Sequence, residues 1–125
     1  MVEQVHGGRA IPKMKFSPDK ATYPCKKQVY RKKDGGGNFL EDVIGLEGES
    51  IDGNPLLTQV MTNGKVCYPV PTIQEIQGTS LDNLVHLPQP FKRLSNAEVY
   101  PVTKSNGLER KRLEVEKIIA LQNNE

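Results

Sequence analysis

Two hydrophobic periods divide the chain. Through the first half, apolar and polar residues alternate in short runs, the period of a strand with one buried face. Met14 and Phe16, with lysines between them and Ile11 ahead, predict a half-buried strand over residues 9–16, with Pro12 at its start or on a sheet edge. Ser17-Pro18-Asp19 is turn chemistry. Residues 26–32, with Val29 and Tyr30 among charges, predict a strand exposed on one side. Gly35-Gly36-Gly37-Asn38 lets the chain reverse, and Phe39–Leu46 is apolar enough for a central strand. Residues 56–61 and 65–68 flank Thr62-Asn63-Gly64. Asn-Gly between apolar runs predicts a hairpin, because both residues tolerate positive φ.

After Pro69 and Pro71 the period lengthens. Ile73, Ile76, Leu81, Leu84 and Val85 fall on one helical face, behind a Thr72-x-x-Glu75 capping box. Gly78 is a point where this helix could break, and Pro88 and Pro90 end it. A short turn over 91–94 and an extended stretch over 99–102 follow. A last helix begins with Asn106 as its cap and Glu109 three residues on; Leu108, Val115, Ile118 and Ile119 form its stripe. Strands followed by helices predict an α+β domain over residues 1–125. Its small antiparallel sheet comes from the N-terminal half and its two main helices from the C-terminal half.

The apolar content, 36 % with no Trp, supports a core but a lean one. Cys25 and Cys67 are too few for a disulfide framework or a structural zinc site, and each is expected to act as a small buried hydrophobe. The start, from Met1 to Arg9, lacks the apolar stretch of a signal peptide, and no run is long enough to span a membrane. A soluble cytoplasmic protein is therefore expected.

Charge is unevenly spread. Residues 1–33 carry nine Lys/Arg against Glu3 and Asp19, whereas residues 34–91 carry Lys65 against eight acids. Opposite segments of one small chain can attract each other across the fold. Alternatively, Lys26, Lys27, Arg31, Lys32 and Lys33, interleaved with Tyr23 and Tyr30, could make a stand-alone binding module for an anionic ligand or RNA. The acidic middle segment opposes a polyanion, so a nucleic-acid partner is not expected.

Little else suggests chemistry. No glycine-rich phosphate loop is followed by Lys-Ser/Thr. His6 and His86 lack metal-ligand neighbours at suitable spacing, and His86 falls at a helix C-terminus, where a cation is favourable. Glu41 and Asp42 point to opposite strand faces; Glu47 and Glu49 flank Gly48 in what reads as a solvated turn. Neither a catalytic residue nor a metal site is expected in this chain.

One stretch carries a resemblance. Lys15, Ser17, Lys20, Thr22, Pro24, Lys27, Val29 and Arg31 match a K-x-S-x-x-K-x-T-x-P-G-x-K-x-V-x-R pattern. That pattern is similar to the opening of the C-terminal domain of bacterial-type nicotinate phosphoribosyltransferases. Cys25 stands where that family usually has Gly, which puts the tight turn there in question. Asp42-Val43-Ile44, Pro55-Leu56, Val60-Met61, Leu87-Pro88 and Tyr100-Pro101-Val102 resemble later landmarks of the same domain. The resemblance implies an accessory part of an NAD-salvage enzyme that joins nicotinate to 5-phosphoribosyl-1-pyrophosphate with ATP and Mg²⁺. It places the catalytic residues in an upstream α/β barrel, with Met1 near the domain boundary. That barrel is then the expected partner, in cis or as a separate chain, docked on Leu113, Ala120 and Leu121; a homodimeric full enzyme is a further expectation.

Overall fold

The computed structural model describes residues 3–6 and 8–122. Met1, Val2 and Gly7 lie outside the described residues, and with them part of the stretch examined for a signal peptide. A hairpin of β1 (Glu3–His6) and β2 (Arg9–Pro12) comes first. The strand expected over 9–16 thus stops at Pro12, where its pairing with Glu3 ends. Residues beyond it close a loop instead: the Lys15 amide donates to Thr22 Oγ1 and the Thr22 amide to the Lys15 carbonyl.

The main sheet has the order β5-β3-β4-β8. Strand β3 (Lys27–Lys33) pairs antiparallel with β4 (Phe39–Leu46), in a register that sets Arg31 opposite Asp42 and Lys32 opposite Glu41. The two-residue β5 (Asn54–Pro55) pairs antiparallel with β3. Strand β8 (Val102–Lys104) lies parallel to β4, a departure from the all-antiparallel expectation. More than fifty residues separate β4 from β8, ample for the crossover that a parallel pair requires. Asn63, at φ 48°, and Gly64, at φ 74°, turn β6 (Met61–Thr62) into β7 (Lys65–Val66) as the Asn-Gly signal predicts.

Helix α1 (Ile73–His86) starts at the expected capping box: Thr72 Oγ1 accepts from the Glu75 amide, and the Glu75 carboxylate accepts from the Thr72 amide. Gly78 does not interrupt it. The turn expected over 91–94 is instead a short helix, α2 (Gln89–Lys92), with Pro90 in its first turn, where a missing N–H costs nothing. Helix α3 (Asn106–Gln122) is capped one residue earlier than expected: Ser105 Oγ, not Asn106, accepts from the Leu108 amide at 3.0 Å.

The core sits where α3 crosses β4. Phe39, Val43, Leu108 and Val115 are its buried hydrophobic residues, and the Pro24 side chain is fully buried. Ile118 and Ile119, expected on the same stripe, are only half-buried toward the helix end. The expected burial of the cysteines is not realised. Cys25 is half-buried, and Cys67 is exposed, like the residues of the β6–β7 hairpin it follows.

Candidate functional site

Of the five basic residues singled out in the N-terminal strands, Arg31, Lys32 and Lys33 border one open depression with Leu40, Asp52, Gly53 and Asn54. Each of the five also has a contact within the fold. The Arg31 guanidinium donates to both Asp42 oxygens, at 2.9 and 2.8 Å, and the Tyr100 hydroxyl approaches the same carboxylate at 3.2 Å. Arg31 also stacks 4.3 Å above the Phe39 ring. The side chains of Arg31 and Asp42 are only 22 % and 12 % exposed, so the pair spans the sheet from within. Its guanidinium holds the Asp42 carboxyl below the usual carboxylate range.

The other four are also engaged. Lys32 pairs with Glu41 at 2.8 Å, and Lys26 lies 3.8 Å from Glu47. Lys27 Nζ donates to the carbonyls of Tyr23, Pro24 and Cys25, while Lys33 lies 5.5 Å from the Phe39 ring centre. The basic β3 and the acidic β4 are therefore charge partners within one sheet.

The remaining titratable candidates have structural partners as well. Glu47 and Gly48 form the expected exposed turn, closed by the Glu49 amide on the Leu46 carbonyl, but the Glu49 carboxylate is not left to solvent. It accepts from Ser105 Oγ at 2.7 Å and from the Leu46 amide at 2.9 Å, and it lies at the α3 N-terminus against the Gly107 amide. These donors, Ser105 foremost, lower its pKa. Spacing could not reveal this contact, because 56 residues separate its two ends. Glu109 accepts from Tyr23 Oη at 2.7 Å. His86 closes α1 as expected, with its ring 6.0 Å from that of Phe39. His6 ends β1, but its side chain lies outside the described residues. Among the described residues there is no group of three or more His, Cys, Asp or Glu arranged to hold a metal.

The fold also leaves apolar surface open. Leu113, Ala120 and Leu121 share the outer face of α3 and are exposed, Leu121 by 70 %. A larger surface was not singled out from the sequence as a contact. All five apolar residues of the α1 stripe are exposed, from Leu84 at 52 % to Val85 at 72 %, and no residue of α1 is buried. The stripe itself was legible in the spacing. That the described residues leave it uncovered was not.

Comparison with known proteins bears on that open surface. Residues 51–112 match the family model of the nicotinate phosphoribosyltransferase C-terminal domain. The chain is 35 % identical over 96 residues to nicotinate phosphoribosyltransferase pncB2 of Mycobacterium tuberculosis, covering 75 % of this chain and 20 % of that protein. It is 30 % identical over 124 residues to nicotinate phosphoribosyltransferase of Bacillus subtilis, covering 78 % of this chain and 25 % of that protein. In fold it is similar to the crystal structure of human nicotinic acid phosphoribosyltransferase, with a TM-score of 0.67 over 85 % of this chain and 25 % of that one, at 20 % identity. The chain thus spans a fifth to a quarter of the length of the relatives it matches. No helix among the described residues is long and apolar enough to cross a membrane.

Proposed function

The chain belongs to the nicotinate phosphoribosyltransferase C-terminal domain family, and from that premise we propose that it is the non-catalytic part of an NAD-salvage enzyme. That enzyme condenses nicotinate with 5-phosphoribosyl-1-pyrophosphate, using ATP and Mg²⁺, to give nicotinate mononucleotide in the cytoplasm. The carrying observation is the family match itself, on a chain whose aligned part covers only 20 to 25 % of the relatives bearing that name. Among the described residues no group of three or more His, Cys, Asp or Glu could hold Mg²⁺, and Asp42, Glu49 and Glu109 are already engaged. Asp42 is held by Arg31 and Tyr100, Glu49 by Ser105 and backbone amides, and Glu109 by Tyr23 and Arg112. In this proposal metal, ATP and the reacting groups belong to the catalytic portion, on the same polypeptide or a separate one, and the complete enzyme is a homodimer.

In this reading the domain acts by docking. The outer face of α3, with Leu113, Ala120 and Leu121, is one contact with the catalytic portion. The test is to incubate the purified, folded chain with nicotinate, 5-phosphoribosyl-1-pyrophosphate, ATP and Mg²⁺. No nicotinate mononucleotide is expected from the chain alone, and turnover by it would overturn its assignment as non-catalytic.

A further inference from the structure

Helix α1 is amphipathic, yet it is oriented against the usual rule. Glu75, Asp82 and His86 lie on one side; Ile73, Ile76, Leu81, Leu84 and Val85 lie on the other. Its approach to its own sheet lies in its C-terminal half, where His86 meets Phe39 and Ser80, Asn83 and Leu84 border Arg31 and Phe39; Lys92 Nζ of α2 donates to the Leu84 carbonyl. Ile73, Ile76 and Leu81 are each more than half exposed, while Leu84 borders a depression shared with Arg31, Phe39 and Tyr100. The preceding hairpin extends the same character, with Val60, Met61, Val66 and Val70 each more than half exposed. Between Pro55 and Phe91 only Lys65, Glu75 and Asp82 carry formal charge, so the surface is sparsely charged as well as apolar.

A helix of 14 residues with none of them buried is marginal in water, and a contiguous apolar surface of this kind marks an interface. We propose that the segment 56–85 is a docking arm and that its occupant is the catalytic portion of the enzyme polypeptide. The inference rests on the function proposed above. Two observations choose this occupant over a second copy or an unrelated protein. The arm lies inside the 51–112 match, so it is part of the domain shared with the family and not an appendage of this chain. The relatives bear this domain as a fifth to a quarter of a longer chain, so the one body common to all of them is the remaining three-quarters or more. The near absence of charge fits a permanent intrachain contact, whose core is depleted in charged residues.

The test compares amide hydrogen exchange of residues 73–86 in the free chain and in a fusion. In the fusion, this chain replaces the matched fifth of the Mycobacterium tuberculosis relative. Expected is slowing by about tenfold or more across α1 in the fusion. Ile76→Asp with Leu81→Asp should abolish that slowing, while leaving the melting of the free chain unchanged. A fusion that forms nicotinate mononucleotide while α1 exchanges at the free-chain rate overturns the arm and leaves the proposed function standing. A fusion with neither activity nor any slowed segment overturns both. Concentration-dependent slowing in the free chain assigns the face to a second copy and overturns the arm.

Discussion

The Lys27 ammonium closes over the turn that Cys25 makes, donating to the Cys25 carbonyl at 2.7 Å while Cys25 itself is held at φ 68°. That backbone region suits glycine, and any side chain there adds strain of about 1–2 kcal/mol. Glycine is the residue usual at this position of the resembling pattern, so the chain keeps the turn with Cys in its place. Cys25→Gly should therefore stabilise by about 0.5–1 kcal/mol, after allowing for the added freedom of the unfolded chain. Cys25→Val should destabilise by about 1–2 kcal/mol, since a β-branched residue is worse still at positive φ. Urea melts of the two variants should move in opposite directions.

Removing one member of the Arg31–Asp42 pair should cost more than removing both. Arg31→Met leaves a largely buried carboxylate with only the Tyr100 hydroxyl, at a cost of about 2–4 kcal/mol. Arg31→Met with Asp42→Leu should cost less than the sum of the single changes, by about 1–3 kcal/mol of coupling. Additive effects in a double-mutant cycle would contradict the pairing.

The same carboxylate, with Glu49, sets an acid limit. Both have folded pKa values below their ordinary values, Asp42 chiefly through Arg31 and Glu49 chiefly through Ser105. Below pH about 4–5 the unfolded chain binds these protons first, so stability rises with pH in that window. The contribution is complete above the ordinary carboxylate values and is lost as pH falls through the depressed ones. Denaturation midpoints measured from pH 7 down to 3 should fall less steeply for Asp42→Asn than for the parent.

Glycines should divide by what surrounds them. At Gly78, inside exposed α1, an added Cβ meets nothing within 4 Å, so Gly78→Ala should strengthen the helix by up to about 1 kcal/mol. At Gly45 the Cβ would collide with Ile51 and come within 2.9 Å of Glu49 Oε2; at Gly107 it would collide with the Glu49 carboxylate. Alanine at either should cost about 1–3 kcal/mol. Helical circular dichroism reads the first change, and thermal melts read the other two.

The central strand pair, the Asn-Gly hairpin and both main helices could be read from the sequence because their signals are local: alternation, a two-residue turn, a capping box. Parallel β8 could not, since strand direction depends on the long connection through α1 and α2. The cap of α3 was displaced by one residue because Ser105 and Asn106 are both good caps, and Glu49, distant in sequence, binds Ser105. The basic residues of β3 were visible, but their acidic partners depend on register. The apolar stripe of α1 was visible too, but periodicity reports a face without saying whether this chain or another body covers it.

The most direct measurement is retrieval of the tagged chain from its own host's extract, with the eluate assayed for nicotinate mononucleotide formation and its polypeptides identified by mass. Activity eluting with a larger phosphoribosyltransferase polypeptide is the expected result. A folded chain that elutes alone and inactive, while the activity stays behind in the extract, would contradict its role as a part of that enzyme.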